Sequence, residues 1–183
     1  MTSERTRWRV GALVVMIATN LVGCAASGPA SHEREYLDEQ TVSTVTVGDP
    51  VLVFARARPE LAANARDYLT LVPLDVNRAG EHRQYFVGYS WSTVDKRFAA
   101  GEQVTPPRID LIADGRRIAL TPHPGSLAEL GLGELPVTRP SRSATLLVAP
   151  ASREQQQFVA DAAELRAVLQ RDGASERFDL WRK

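Results

Sequence analysis

From residue 41 onward, apolar and polar residues alternate over long stretches, and a period of two predicts β-strands. Thr41–Val47 is rich in β-branched residues, Gly48-Asp49-Pro50 is turn chemistry, and Val51–Ala55 is an apolar run of strand length. Pro59–Ala65 breaks the pattern and fits a helical turn. Tyr68–Val76 reads as a long strand with Tyr68, Thr70, Val72, Leu74 and Val76 on one face and Leu69, Leu71, Pro73 and Asp75 on the other. Pro73 cannot donate to a ladder, so this strand is expected at a sheet edge or at a bulge. Asn77–Glu81 turns the chain into Arg83–Thr93, the cleanest strand of all. There Tyr85, Val87, Tyr89 and Trp91 face one way and Gln84, Phe86, Gly88, Ser90 and Ser92 the other; the first face is expected in the core around Val87 and the second, largely small or polar, toward solvent at Ser90.

Asp114-Gly115 lies between the alternating segments Arg108–Ala113 and Arg116–Thr121, a strong hairpin signal. Asp110 and Asp114 are spaced like metal ligands, but turn and surface duty account for both. Pro122–Arg142 is the longest irregular stretch, with Ser126–Glu129 as a capping box for one short helix. Ser143–Ala149 is another strand. Ser152 with Gln155 caps a helix running to about Ala162, with Phe158, Val159 and Ala162 inward. Glu164–Gln170 fits both periods; with Asp172-Gly173 and Glu176–Trp181 it is read as a closing hairpin. The expected fold class is mainly β, an antiparallel β-sandwich of eight or nine strands with one short helix near the C-terminus; an open β-barrel is the alternative.

The first 23 residues follow other rules. Arg5, Arg7 and Arg9 precede the apolar run Val10–Gly23, which is the layout of a secretory signal. The run is short of the roughly 20 apolar residues that cross a 30 Å hydrocarbon core. It ends in Leu21, Val22, Gly23 and Cys24, and these four resemble a bacterial lipobox. The resemblance implies a lipoprotein signal peptide at 1–23, recognition by the lipoprotein signal peptidase through Leu21, Val22 and Gly23, and thioether diacylation of Cys24. Ala25 follows, not the aspartate that retains such proteins at the inner membrane, so the same resemblance implies the outer membrane; the periplasmic face is the expected side, with surface exposure the alternative. Residues 24–31 then form a lipidated cysteine and flexible tether, and 32–183 a single β-rich domain. The seven residues Ala25–Ser31 reach at most about 25 Å. The segment His32-Glu33-Arg34-Glu35 is expected to be a solvated charged arm. Together, Glu35-Tyr36-Leu37-Asp38, Val51–Ala55 and Tyr85–Ser92 are similar to small uncharacterised proteobacterial envelope lipoproteins, a resemblance that implies no mechanism.

The chain carries 22 basic and 22 acidic residues. Losing 1–23 removes three Arg and one Glu, so the mature chain is near −2. It lacks the basic surplus of a nucleic-acid binder. Cys24 is the single cysteine, so neither an intrachain disulfide nor a cysteine metal site is expected. Gly131-Leu132-Gly133 lacks the third glycine of a dinucleotide fingerprint, and no cofactor is called for. Neither Gly-x-Ser-x-Gly nor His-Glu-x-x-His occurs, and His32, His82 and His123 stand in separate contexts. A non-catalytic protein-interaction or structural module, with an envelope protein as partner, is therefore placed first, with strand addition at a sheet edge as its mode. A module for a glycan, lipid or small molecule is second and an envelope hydrolase third. The candidate binding surface is Tyr85, Tyr89, Trp91 and His123. Pro122–Arg142 is the first candidate binding loop and Lys96–Pro107 the second.

Overall fold

The computed structural model describes residues 33–94, 108–123, 127–171 and 173–183. The signal motif with Cys24, His32 and the Lys96–Pro107 loop lie outside them. Ten strands are described, all pairing antiparallel: β1 (Arg34–Asp38), β2 (Ser43–Val47), β3 (Leu52–Ala57), β4 (Arg66–Arg78), β5 (Glu81–Ser92), β6 (Arg108–Ala113), β7 (Arg116–Leu120), β8 (Thr145–Pro150), β9 (Leu165–Arg171) and β10 (Ala174–Arg182). Two helices interrupt them, α1 (Leu127–Leu130) and α2 (Arg153–Asp161). The main path runs β7-β6-β9-β10-β3-β4-β5-β8, with β2 and β1 branching from β4. Ile109, Leu111, Ile118 and Leu120 of β6 and β7 share one buried cluster with Leu69, Leu71, Phe86 and Leu147 of β4, β5 and β8. The sheet therefore coils over its inner face as a sandwich and does not close into a barrel. The mainly β, antiparallel fold expected from the period-two pattern is present.

The local chemistry explains the turns. Ala79 and Gly80 take positive φ in the β4–β5 hairpin, as do Asp114 and Gly115 between β6 and β7 and Gly173 between β9 and β10. Ser152 and Gln155 form the reciprocal capping box that opens α2. Val159 and Ala162 are buried against the first core; Phe158 packs at its margin.

Pro59–Ala65 makes a turn in which the Ala62 N–H reaches the Arg58 carbonyl, as in one helical turn. Three expectations need correction. Arg34 and Glu35 of the charged segment are not on a free arm, because Arg34–Asp38 pairs along its length with β2. Asp110, read as a surface residue, is buried and bound by Arg117 at 2.7 Å and Gln170 at 2.9 Å. Finally, β4 is not an edge strand. Its C-terminal half pairs with β2, up to Leu74, and its N-terminal half with β3, from Leu71. Pro73 falls in the gap between the two, where only its carbonyl is used, by the Gly48 N–H at 2.9 Å. A missing N–H costs nothing at a position where no ladder bond is due.

Candidate cleft on the outer face of the central strands

The central strands β4, β5 and β8 are buried on both faces. The inner face carries Leu69, Leu71, Phe86 and Leu147. The outer face carries Val72, Leu74, Val76, Val87 and Val148, which join Val45, Val47, Leu130 and Leu132 in a second core. Val87 is fully buried, as the aromatic stripe suggested, but Ser90 on the opposite face is also buried, at 7% exposure. The expectation that this second face is solvated fails because the sheet coils back over it.

The second core is covered by β1, β2 and the segment from Leu127 to Ala144. Each anchor of that segment is local. Leu130 and Leu132 enter the core, and Gly131 supplies the positive φ (72°) that ends α1. The Asp38 carboxylate accepts the Gly133 N–H at 2.5 Å and, with its other oxygen, the Gln40 and Thr41 N–H groups at 3.0 and 3.3 Å. These donors, Gly133 first, hold the Asp38 carboxyl below its ordinary range. A Cβ on Gly133 would stand 2.5 Å from the Gln40 side chain, so the close crossing needs glycine. Beyond it Leu135 and Val137 pack on the core. The Arg139 guanidinium donates to the Arg142 and Ala144 carbonyls at 2.9 and 2.8 Å.

Between this segment and β1 lies a cleft of about 540 Å³, a volume in the range of ligand pockets. Tyr36 and Tyr89 supply aromatic surface, Arg34, Arg139 and Glu134 supply charge, and Leu135–Thr138 form a wall. Arg34 also reaches the Pro136 carbonyl at 3.5 Å. Burial raises both tyrosine hydroxyls above their ordinary pKa; Asp38 and Glu134 reinforce this at Tyr36, while Arg139 opposes it at Tyr89. Both phenols therefore stay neutral donors at pH 7.

The register accounts for the four candidate residues. Tyr85, Tyr89 and Trp91 lie on the outer face of β5, and His123 bridges to Val148, in the row Val72–Val87–Val148. They share a face but not a site. Tyr85 packs at the edge of the second core. Tyr89 lines the cleft. Trp91 stacks on Tyr68 with ring centroids 4.4 Å apart, and its indole N–H has no partner among the described residues. His123 is half-buried beside β8. Of the loop expectations, Pro122–Arg142 does contribute the cleft wall. Arg34, Tyr36 and Arg139 are not among the candidate binding residues; Arg139 lies inside the candidate loop Pro122–Arg142, whereas Arg34 and Tyr36 sit on β1, whose charged sequence has no strand pattern.

Chemically the cleft offers aromatic faces, two guanidiniums and one carboxylate. His82 pairs with Asp75 at 3.0 Å on the exposed β4–β5 hairpin, not in the cleft. No family model, curated protein or solved structure matches the chain.

Proposed function

We propose that the protein is a non-catalytic outer-membrane lipoprotein, anchored through Cys24, whose domain binds an envelope protein partner through the cleft between β1 and residues 134–139. The observation that carries the anchor is Leu21-Val22-Gly23-Cys24 behind a basic leader and a short apolar run. Acyl chains contribute about 0.8 kcal/mol per buried CH₂, and two signals are enough for stable anchoring. The cleft supports the partner reading. Its polar groups are fixed before any ligand arrives, Arg139 by two carbonyls and the wall by Asp38, and preorganised groups lose little entropy on binding.

Cys24→Ala should leave an unprocessed precursor that takes up no acyl label; normal processing of that variant refutes the anchor. A photo-crosslinker at Thr138 in intact cells should give a discrete adduct that Arg139→Glu abolishes. An adduct pattern indifferent to Arg139 refutes the cleft as the binding surface. A second reading, a small-molecule or glycan site, draws on Tyr36 and Tyr89 beside two arginines. It predicts saturable tyrosine shifts on titration with soluble cell-wall saccharides and no protein adduct.

A further inference from the structure

The outer face of β10 and β9 has a character of its own. A bulge between Leu180 and Arg182 interrupts the pairing of β10 with β3, and a bulge re-aims side chains. Trp181 at this bulge is 60% exposed. The Arg66 guanidinium lies 4.8 Å from the Trp181 ring centroid, in cation–π range. One register row runs Arg117–Ile112–Arg166–Asp179–Ala55–Tyr68–Trp91 across seven strands. It places Arg166 and the Tyr68–Trp91 stack on the same face as Arg66. A neighbouring row, Arg182–Val53–Thr70–Tyr89, ties Arg182 to the cleft. The acids on this face are already paired, Asp179 with Arg177 at 2.9 Å and Asp110 of β6 with Arg117 at 2.7 Å. Arg166 and Arg182 are exposed, and neither side chain has a hydrogen-bond or ion-pair partner among the described residues. A chain with equal numbers of acidic and basic residues thus concentrates unpaired cations beside an exposed tryptophan.

The chain entry lies on the same side. Arg34 lines the cleft with Tyr89, and Tyr89 is three strands from Arg182, about 15 Å at the usual strand spacing. Nine residues lie between Cys24 and Arg34, and the ten steps from one to the other reach at most about 36 Å. We infer that the β10–β9 face, with Trp181, Arg66, Arg166 and Arg182, docks on the anionic lipid surface of the membrane that holds the anchor. The inference rests on the anchored reading for its orientation. An exposed tryptophan among arginines suits the headgroup boundary, where the indole buries its apolar body and the cations meet lipid phosphates.

The test uses the mature chain from residue 24 with Cys24→Ser, so that no acyl chain contributes. Residues 31–183 form one compact unit with two cores of their own, so this chain folds. In vesicle co-sedimentation it should bind phosphatidylglycerol–phosphatidylethanolamine vesicles and not pure phosphatidylcholine, with binding weakened by salt. Mature Trp emission, from Trp91 and Trp181, should shift to the blue on binding. Each arginine near such a surface contributes about fivefold in partitioning, so Arg166→Glu with Arg182→Glu should weaken binding at least 25-fold. Trp181→Ala should weaken it severalfold and remove most of the blue shift. Arg78→Glu, on the distant β4–β5 hairpin, should change little. No binding to anionic vesicles, equal binding to phosphatidylcholine, or equal effects of Arg78→Glu and the double reversal would overturn the inference. Because this assay contains no lipid anchor, its failure leaves the Cys24 processing result standing as a separate answer.

Discussion

Replacing Gly88 with alanine should be among the most damaging single-methyl additions available to this domain. A Cβ on Gly88 would lie 1.7 Å from the Thr70 carbonyl oxygen and 2.6 Å from its carbon. Real Cβ contacts do not fall below 3.0 Å, so β4 and β5 would have to part by at least 1.3 Å. The approach is this close because the Thr70 hydroxyl enters the ladder: it accepts the Tyr89 N–H at 3.1 Å and donates to the Tyr89 carbonyl at 3.3 Å. Parting the strands would break two or so ladder bonds worth about 1 kcal/mol each. Overpacking adds about 1–3 kcal/mol, for a total near 3–5 kcal/mol. Against a typical domain stability of about 5–15 kcal/mol, that lowers Tm by about 6–20 °C at roughly 2–4 °C per kcal/mol. Gly115→Ala is the control. Gly115 has a positive φ of 80° but nothing within 4 Å of a new Cβ, so only backbone strain of about 1–2 kcal/mol applies. Thr70→Val isolates the hydroxyl, since it leaves the Tyr89 N–H unpaired at a cost of about 1–3 kcal/mol. Urea and thermal melts of the three variants give the ranking. If Gly88→Ala is no worse than Gly115→Ala, the close crossing is not what shapes this part of the sheet.

Val87→Asp and Ser90→Asp should both destabilise by several kcal/mol in urea melts, because a carboxylate enters a buried layer on either face; a neutral Ser90→Asp would show that the inner face is wet there. Asp38→Asn turns an amide group toward backbone donors and should cost about 1–3 kcal/mol at pH 7. The sign with pH follows from the lowered folded-state pKa of Asp38. Its contribution is complete above the unfolded value and is lost as pH falls through the folded one, so the gap between wild type and Asp38→Asn should narrow below about pH 4. A gap constant from pH 7 to pH 2 would contradict the role of the carboxylate.

Local chemistry made much of this chain legible. The hairpins at Ala79-Gly80, Asp114-Gly115 and Gly173, the capping box at Ser152 and the alternation of β5 all depend on residues within a few positions of each other. What tertiary structure alone decided is how many faces each strand buries. Period-two alternation says that successive side chains oppose one another; it cannot say that a sheet coils until both sides are covered, which is why Ser90 was misplaced. The same limit explains Pro73, read as an edge residue when a partner strand merely changes there, from β2 to β3. It explains β1 as well: Arg34-Glu35-Tyr36-Leu37-Asp38 is too charged to read as a strand by pattern. It becomes one because β2 lies alongside it and because Asp38 accepts an N–H from Gly133, 95 residues away. The cleft joins Arg34 to Arg139 across a still longer separation, and no local rule carries such information, since it arises only when distant segments bury a common core.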